Sequence, residues 1–241
     1  MAYVNEIIAY EAYVNYHGRH VEKNIRDVCQ WWLGKEKAMK TAHKPRSEMI
    51  AETRGKLIAA ARRAFATTGY ANASMDDFTA EAGLTRGALY HHFGDKKGLF
   101  EAVLAQIDQE MLSRLNEISF RAETRWQGFL DENVAYIEMA LEPEIQRIVL
   151  RDGPAVLGDP AQWPNANACI SAITANLVAL KAEGLVRDID PEAMARLISG
   201  ASLYAAQWIA NSDDPGATSI KAVKAFRALM EGLLVAGKSA N

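Results

Sequence analysis

The 241-residue sequence has only two cysteines, Cys29 and Cys169, and this scarcity excludes a disulfide scaffold and a cysteine-rich zinc site. Long apolar runs are also missing. The longest uncharged stretch, 160–180, contains two prolines and several Asn, Ser and Thr residues, so it lacks the ~20 apolar residues of a membrane span. The first residues have no basic cluster, and Glu6 and Glu11 interrupt their apolar positions, so no secretory signal is predicted. We expect a reducing, cytoplasmic setting.

Histidine is also scarce, and the sequence has none after residue 92. The five histidines are His17, His20, His43, His91 and His92. A glycine-rich phosphate loop, a Ser-His-Asp order, a His-Glu-x-x-His motif and a recognisable carboxylate pair are missing too, so we predict no enzyme, no metal and no cofactor. A helical enzyme that uses a C-terminal cavity stays open as an alternative, but it would have to work there without histidine.

Charge is distributed unevenly, although the formal net charge is only −3. Residues 40–98 contain ten basic and six acidic side chains, whereas residues 99–241 contain twelve basic and nineteen acidic ones. A basic segment beside an acidic body indicates that one part of the chain faces a polyanion such as nucleic acid. Chance variation of surface charge is the alternative, and the count alone does not exclude it.

Apolar residues recur at helical spacing from end to end, and no strand-like alternation runs for more than a few residues. Val21, Ile25, Val28 and Trp32 step by four, three and four residues, and similar spacings recur further along the chain. Because 49% of the residues are apolar, the chain can bury a substantial core. The sequence therefore predicts an all-α protein.

Residues 74–100 contain the features of a helix-turn-helix. Ser74 is a predicted helix N-cap, and Gly83 supplies a sharp turn. Thr85 is predicted to cap a second short helix, which ends near His92. A short helix, a glycine-containing turn and a second short helix form the motif whose second helix enters the major groove of DNA.

Asp95 is the predicted cap of the helix that follows this motif. Lys96 and Lys97 lie in its first turn, where a positive charge opposes the helix dipole. A phosphate bound at this helix end would remove the conflict. Lys97 is more simply read as a solvated lysine.

The segment Ser-Met-Asp-Asp-Phe-Thr-Ala-Glu-Ala-Gly-Leu-Thr-Arg-Gly-Ala-Leu-Tyr-His-His-Phe-Gly-Asp-Lys-Lys-Gly-Leu resembles the DNA-binding signature of the TetR family of bacterial transcriptional regulators. The resemblance extends back to residue 56. It implies a homodimeric, repressor-like protein that binds an operator in double-stranded DNA and releases it when a small molecule binds the C-terminal domain. We expect a helical extension at 1–45, the helix-turn-helix DNA-binding domain at 46–98, and a larger helical ligand-binding and dimerisation domain at 99–241.

The resemblance also implies a set of DNA contacts, carried over position by position. The DNA-binding candidates are Ser74, Thr85, Arg86, Gly87, Tyr90, His91, His92 and Lys96. Thr85 to Gly87 match the start of the recognition helix, Tyr90 and His92 match positions that contact phosphates, and Lys96 matches the family's phosphate-binding lysine. His91 matches a position that contacts a base or a phosphate.

These candidates have structural alternatives. Ser74 and Thr85 would serve as helix caps in either case, and Tyr90 has an alternative place in the core. A metal site at Tyr90-His91-His92 is disfavoured because adjacent helical residues point about 100° apart. A protein-interaction module without DNA binding is a further alternative for the whole motif, and the basic surplus counts against it.

Aromatic residues and two amides in the C-terminal helices predict a pocket for a small apolar or amphipathic effector. The ligand-binding candidates are Trp126, Phe129, Asn133, Tyr136, Ile137, Cys169, Ile173, Asn176, Tyr204 and Trp208. Aromatic side chains at helical spacing are more often core. A buried amide needs a polar partner, which a ligand or a neighbouring helix would provide.

The last two predicted helices, about 191–210 and 218–236, form the homodimer interface if the resemblance holds. Small residues between 199 and 206 allow another helix to approach closely. Close packing within one subunit is the alternative.

Residues 1–45 exceed the usual family pattern. Their many Tyr and Trp residues argue against a disordered tail, and two amphipathic helices that pack on the body or across the dimer are our first interpretation. DNA contact through Lys35, Lys37, Lys40 and Lys44 is the second. Translation that begins at Met39 or Met49 is the third.

Overall fold

Nine α-helices follow one another through residues 45–163 and 165–236, the parts of the chain that the computed structural model describes. They are α1 Arg46–Asn72, α2 Met75–Ala82, α3 Arg86–Phe93, α4 Lys96–Arg121, α5 Arg125–Glu138, α6 Gly153–Leu157, α7 Ala166–Ala182, α8 Pro191–Ala210 and α9 Pro215–Glu231. In these residues, β-type pairing is confined to one isolated antiparallel bridge, Val186 with Leu234. The predicted all-α fold is confirmed.

The chain divides into two units, Met1–Ile50 and Ala51–Asn241. In the described part of the first unit, the backbone N–H groups of Glu48 and Met49 donate to the carbonyl oxygen of Pro45. The predicted helical extension lies almost wholly outside the described residues. The second unit includes both the helix-turn-helix and the C-terminal helices, so the predicted boundary between them stays a prediction.

An aromatic cluster joins α1, α2 and α4. Phe65 is fully buried, and its ring meets the rings of Phe78 and Phe100 edge to face at centroid distances of 5.3 and 5.2 Å. Tyr70 packs against Phe100 in the same way at 5.1 Å. These contacts fix the helix-turn-helix on the first turns of α4.

Helix α1 is interrupted at Gly69. Gly69 has φ +78° and ψ 165°, a backbone conformation that residues with a Cβ rarely adopt. Helical geometry resumes after it and runs to Asn72, so the glycine bends α1 without ending it. The bend turns the chain toward α2.

Helices α5, α8 and α9 pack together with α7 and form the body of the C-terminal part. Helix α5 buries one apolar stripe, which includes Trp126, Phe129 and Ile137. A 3₁₀ turn, Met139–Leu141, ends it, and the segment Ile145–Asp152 then adopts a π-helix. That segment buries Ile148 and packs against α4 and α8. No helix in the described residues is long and apolar enough to cross a membrane.

Candidate nucleic-acid interface

Side-chain and glycine caps define each end of the helix-turn-helix. Ser74 Oγ accepts a hydrogen bond from the backbone N–H of Asp76, and Thr85 Oγ1 accepts one from Ala88. Gly83 ends α2 in the left-handed conformation at φ +66° and ψ 34°. Local capping chemistry therefore fixes where α3 begins.

Helix α3 turns most of its predicted contact residues toward solvent. Leu89 is its one buried residue, and it packs into the core described above. Five of the predicted DNA-binding residues are exposed, and they are Thr85, Arg86, Gly87, Tyr90 and His91. Ser74, His92 and Lys96 are half-buried at the edges of this face. The spacing of Arg86, Gly87, Tyr90 and His91 places these four exposed candidates on one face of α3.

Arg86 is engaged by a neighbour on α2. Its guanidinium forms a two-pronged ion pair with the carboxylate of Asp76, and both side chains are largely exposed. The hydrogen bond from Arg86 lowers the pKa of Asp76. An exposed pair of this kind contributes little to stability, so Arg86 can exchange its partner for a base edge at small cost.

Lys96 lies against the bend of α1. Its Nζ is 4.6 Å from the centroid of the Tyr70 ring and donates to the carbonyl oxygen of Ala71 at 3.4 Å. Partial burial lowers the pKa of Lys96. The ammonium group is therefore held by a ring face and a carbonyl, beside the N-terminus of α4 that Asp95 caps through Gly98 N–H.

The two histidines of α3 lie next to each other at the exposed face of the helix. His91 and His92 have ring centroids 5.4 Å apart with an interplanar angle of 64°. No group of three or more potential His, Cys, Asp or Glu ligands occurs among the described residues. Both imidazoles border the exposed face of α3.

Comparison with known proteins connects this geometry to a family. Residues 57–103 match the family described as bacterial regulatory proteins, tetR family, and residues 126–233 match the family described as Tetracyclin repressor-like, C-terminal domain. The crystal structure of a TetR-family transcriptional regulator from Pectobacterium atrosepticum is 50% identical, with a TM-score of 0.73 over 81% of this chain and 100% of that one. The chain belongs to the TetR family.

Two curated relatives, both named as HTH-type transcriptional regulators, match part of the chain. The transcriptional repressor AcnR of Corynebacterium glutamicum is 32% identical over 42% of this chain and 52% of its own length. The transcriptional regulator TtgR of Pseudomonas putida is 40% identical over 29% of this chain and 34% of its own. The chain thus spans about half or less of the length of these curated relatives.

The ligand-binding candidates of this TetR-family chain fall into three groups. Trp126, Phe129, Asn133 and Ile137 are buried along α5. Tyr136, Cys169, Ile173 and Asn176 lie where α5 and α7 approach each other, partly buried except for the exposed Cys169. Tyr204 and Trp208 are 72% and 46% exposed on α8. The described structure does not bring this last pair together with the first two groups.

Both candidate amides bond within their own helix. The Nδ2 of Asn133 donates to the carbonyl oxygen of Phe129 at 2.8 Å, and the Nδ2 of Asn176 donates to Ala172 at 3.4 Å. One of the two N–H groups of each amide is therefore bonded within its own helix, whereas the sequence left a ligand or a neighbouring helix as the expected partner.

Two carboxylates near Tyr136 and Cys169 were not predicted from the sequence. Asp108 accepts a hydrogen bond from Asn165 Nδ2 at 3.0 Å, and burial raises the pKa of both Asp108 and Glu132. Burial also raises the pKa of Tyr136, and partial desolvation of the thiol raises that of Cys169 although the residue as a whole is exposed, with Asp108 adding to each shift. A single carboxylate in a helix belongs to no spacing motif that a sequence would reveal. The one available signal was position beside a buried apolar residue, as Asp108 lies beside Ile107.

An open groove lies at a different place. It is lined by the end of α5 and by α9, with Glu138, Ile220, Val223 and Arg227 among its residues. None of the predicted ligand-binding residues lines it. Ile220 is 73% exposed, so this groove belongs to the outer apolar surface of α9.

Proposed function

We propose that the protein is a cytoplasmic, ligand-responsive transcriptional regulator, in the first instance a repressor, that binds a near-palindromic operator as a homodimer. The proposal is carried by helix α3, which buries only Leu89. Its polar residues Arg86, Tyr90 and His91 are exposed, and Lys96 follows at the start of the next helix. A helix of this kind enters the major groove with its N-terminal residues toward the bases. The relative named as a repressor, AcnR, supports repression over activation.

The outer face of α8 and α9 supports the homodimer. Leu197, Tyr204, Trp208 and Ile220 are exposed there, although side chains of this size are usually buried. Exposed apolar surface next to small residues such as Gly200 is typical of a subunit interface. A two-fold axis through this face would set two α3 helices side by side, as a palindromic operator requires.

The region between α5 and α7 supports a small-molecule site. Tyr136, Asp108 and Glu132 are partly buried, and Ile137 and Ile107, next to two of them in the chain, are buried. A few polar anchors among apolar residues are the usual composition of a ligand pocket. We therefore propose an apolar or amphipathic effector. Its binding there would weaken the complex with DNA.

The function is tested by selection of bound duplexes from a random-sequence pool, followed by footprinting. We expect enrichment of a near-palindrome whose half-sites lie about 34 Å apart, one turn of DNA, or a multiple of it. Sedimentation of the complex should give two subunits per site. No enrichment, or one asymmetric half-site bound by a monomer, would overturn the proposal.

Substitution of Lys96 and of Arg86 should have different effects on the selected duplex. Lys96→Ala should weaken binding to all sequences alike and reduce the slope of log K against log salt by about 0.9 for each lysine lost. Arg86→Ala should change which bases are preferred near the start of α3. Both are measured by fluorescence anisotropy at several salt concentrations.

The neighbouring Lys97 provides the control for this pair, because it is exposed and carries the same charge. Lys97→Ala should change the affinity less than Lys96→Ala does. A Lys96→Ala variant with altered base preference and an unchanged salt slope would contradict the assigned roles.

A further inference from the structure

We propose that Tyr70 couples the C-terminal body to the DNA contact: Arg147 and Asp152 on the π-helix set the position of Tyr70, and Tyr70 sets the position of Lys96. The inference rests on the proposed function, since it concerns how DNA binding is regulated. Tyr70, Arg147 and Asp152 act as positioning residues. Lys96 is the group that meets the phosphate.

Two hydrogen bonds tie the bend of α1 to the π-helix. Asp152 Oδ2 accepts from the backbone N–H of Tyr70 at 2.7 Å, and Arg147 Nη2 donates to the carbonyl oxygen of Thr68 at 3.0 Å. Arg147 Nε also lies 3.5 Å from Asp152 Oδ2. The backbone on both sides of Gly69 is therefore held from one short segment of the body.

The absence of a side chain at Gly69 makes this contact possible. A Cβ built there would collide with the guanidinium of Arg147, and the positive φ disfavours any other residue. The guanidinium thus lies directly against the backbone of the bend.

The ring of Tyr70 connects the bend of α1 to Lys96 on the DNA-binding side. It packs against Phe65 and Phe100 at centroid distances of 5.7 and 5.1 Å, so its position follows the backbone and has little freedom of its own. Lys96 Nζ lies 4.6 Å from the ring centroid. A cation over an aromatic face is attracted to the ring, so the ring biases where the ammonium rests.

A second ion-pair group holds the same two elements together. Arg62 on α1 forms two hydrogen bonds to Glu144, at 2.7 and 2.8 Å, and two more to Glu110 on α4. Glu144 directly precedes the π-helix. The π-helix and the residue before it therefore contact α1 at two places about two turns apart, at Arg62 and at the bend.

The π-helix itself is the element that can change. Its hydrogen-bond pattern is rare and is frequently found at functional sites. It packs against α4 and α8 in the body. Rewinding of this segment toward α-helical register would displace Asp152 and Arg147 together, and both bonds to the bend would be lost.

A double-mutant cycle tests the coupling, with a fluorescein-labelled duplex recovered by selection as the probe. Asp152→Ala should lower the affinity for the duplex about three- to tenfold, because Tyr70 N–H loses its acceptor and Lys96 its fixed position. In a Lys96→Ala background the same substitution should change the affinity less than about twofold. The salt slope of Asp152→Ala should also move toward that of Lys96→Ala.

Matched variants separate positioning from a loss of structure. Asp213→Ala removes the same charge from an exposed loop and should leave the affinity unchanged. Tyr70→Phe keeps the ring and should bind as the wild type does, whereas Tyr70→Leu should behave like Asp152→Ala. The Tyr70 pair decides the question if Asp152→Ala does not fold by circular dichroism.

Equal losses for Asp152→Ala in both backgrounds would overturn the inference, since Asp152 would then act without Lys96. Equal affinities for Tyr70→Phe and Tyr70→Leu would overturn it as well. Either result leaves the proposed function intact, because the wild type still binds its duplex. A wild-type protein that binds no duplex would instead remove the proposed function and this inference together.

Discussion

Gly200→Glu should convert the homodimer to monomers and lower operator affinity by roughly a hundredfold or more. An unpaired charge buried in a close helix contact costs several kcal/mol, and about 1.4 kcal/mol corresponds to a factor of ten. Within one subunit the substitution has room, because nothing lies within 4 Å of a Cβ built at Gly200. Any loss must therefore come from a second subunit. Sedimentation velocity and anisotropy with the selected duplex measure the two effects.

Gly200→Ala is the matched control for this prediction. It adds a small uncharged side chain and raises helix propensity, so the protein should remain dimeric and bind DNA. Leu197, Tyr204 and Trp208 lie on the exposed side of the same helix and would meet the partner together with residue 200. A Gly200→Glu protein that stays dimeric would place the interface elsewhere.

Local chemistry made the helix-turn-helix predictable. Ser74, Thr85 and Asp95 were identified as caps from their residue type and position, and all three accept the backbone hydrogen bonds that a cap requires. Gly83 was identified as the turn, and it has the left-handed conformation. These features depend on interactions within a few residues, which a sequence displays directly.

Sequence spacing alone did not separate intramolecular from intermolecular burial. Tyr204 and Trp208 recur at helical spacing as core residues do, and they were predicted to line a pocket although aromatic residues at this spacing are more often core. The structure places both on the exposed side of α8. Apolar periodicity shows that one face of a helix is apolar. It does not show whether that face packs against the same subunit, a second subunit or a ligand.

Contacts between residues far apart in the chain could not be predicted from the sequence either. The bonds from Tyr70 to Asp152 and from Arg62 to Glu144 each join residues 82 positions apart. The π-helix Ile145–Asp152 was not predicted either, because the apolar spacing of so short a segment does not reveal a change in hydrogen-bond register.

Phe65→Ala should lower the free energy of unfolding by about 3–5 kcal/mol and abolish DNA binding near physiological temperature. Phe65 is fully buried and contacts the rings of Phe78, Phe100 and Tyr70. Its removal leaves a cavity at the point where α1, α2 and α4 meet, and three ring contacts are lost with it. Urea titration followed by circular dichroism measures the change at fixed protein concentration, since dimerisation also contributes to stability.

Phe120→Ala is the control for this cavity, because the same side chain is removed from a position that is 90% exposed on α4. Its free energy of unfolding should stay within about 0.5 kcal/mol of the wild type, and its affinity for the selected duplex should not change. If Phe65→Ala cost no more than Phe120→Ala, the aromatic cluster would not hold the helix-turn-helix on α4. The route from the π-helix through Tyr70 to Lys96 would then lose its rigid support, because the same cluster fixes the Tyr70 ring.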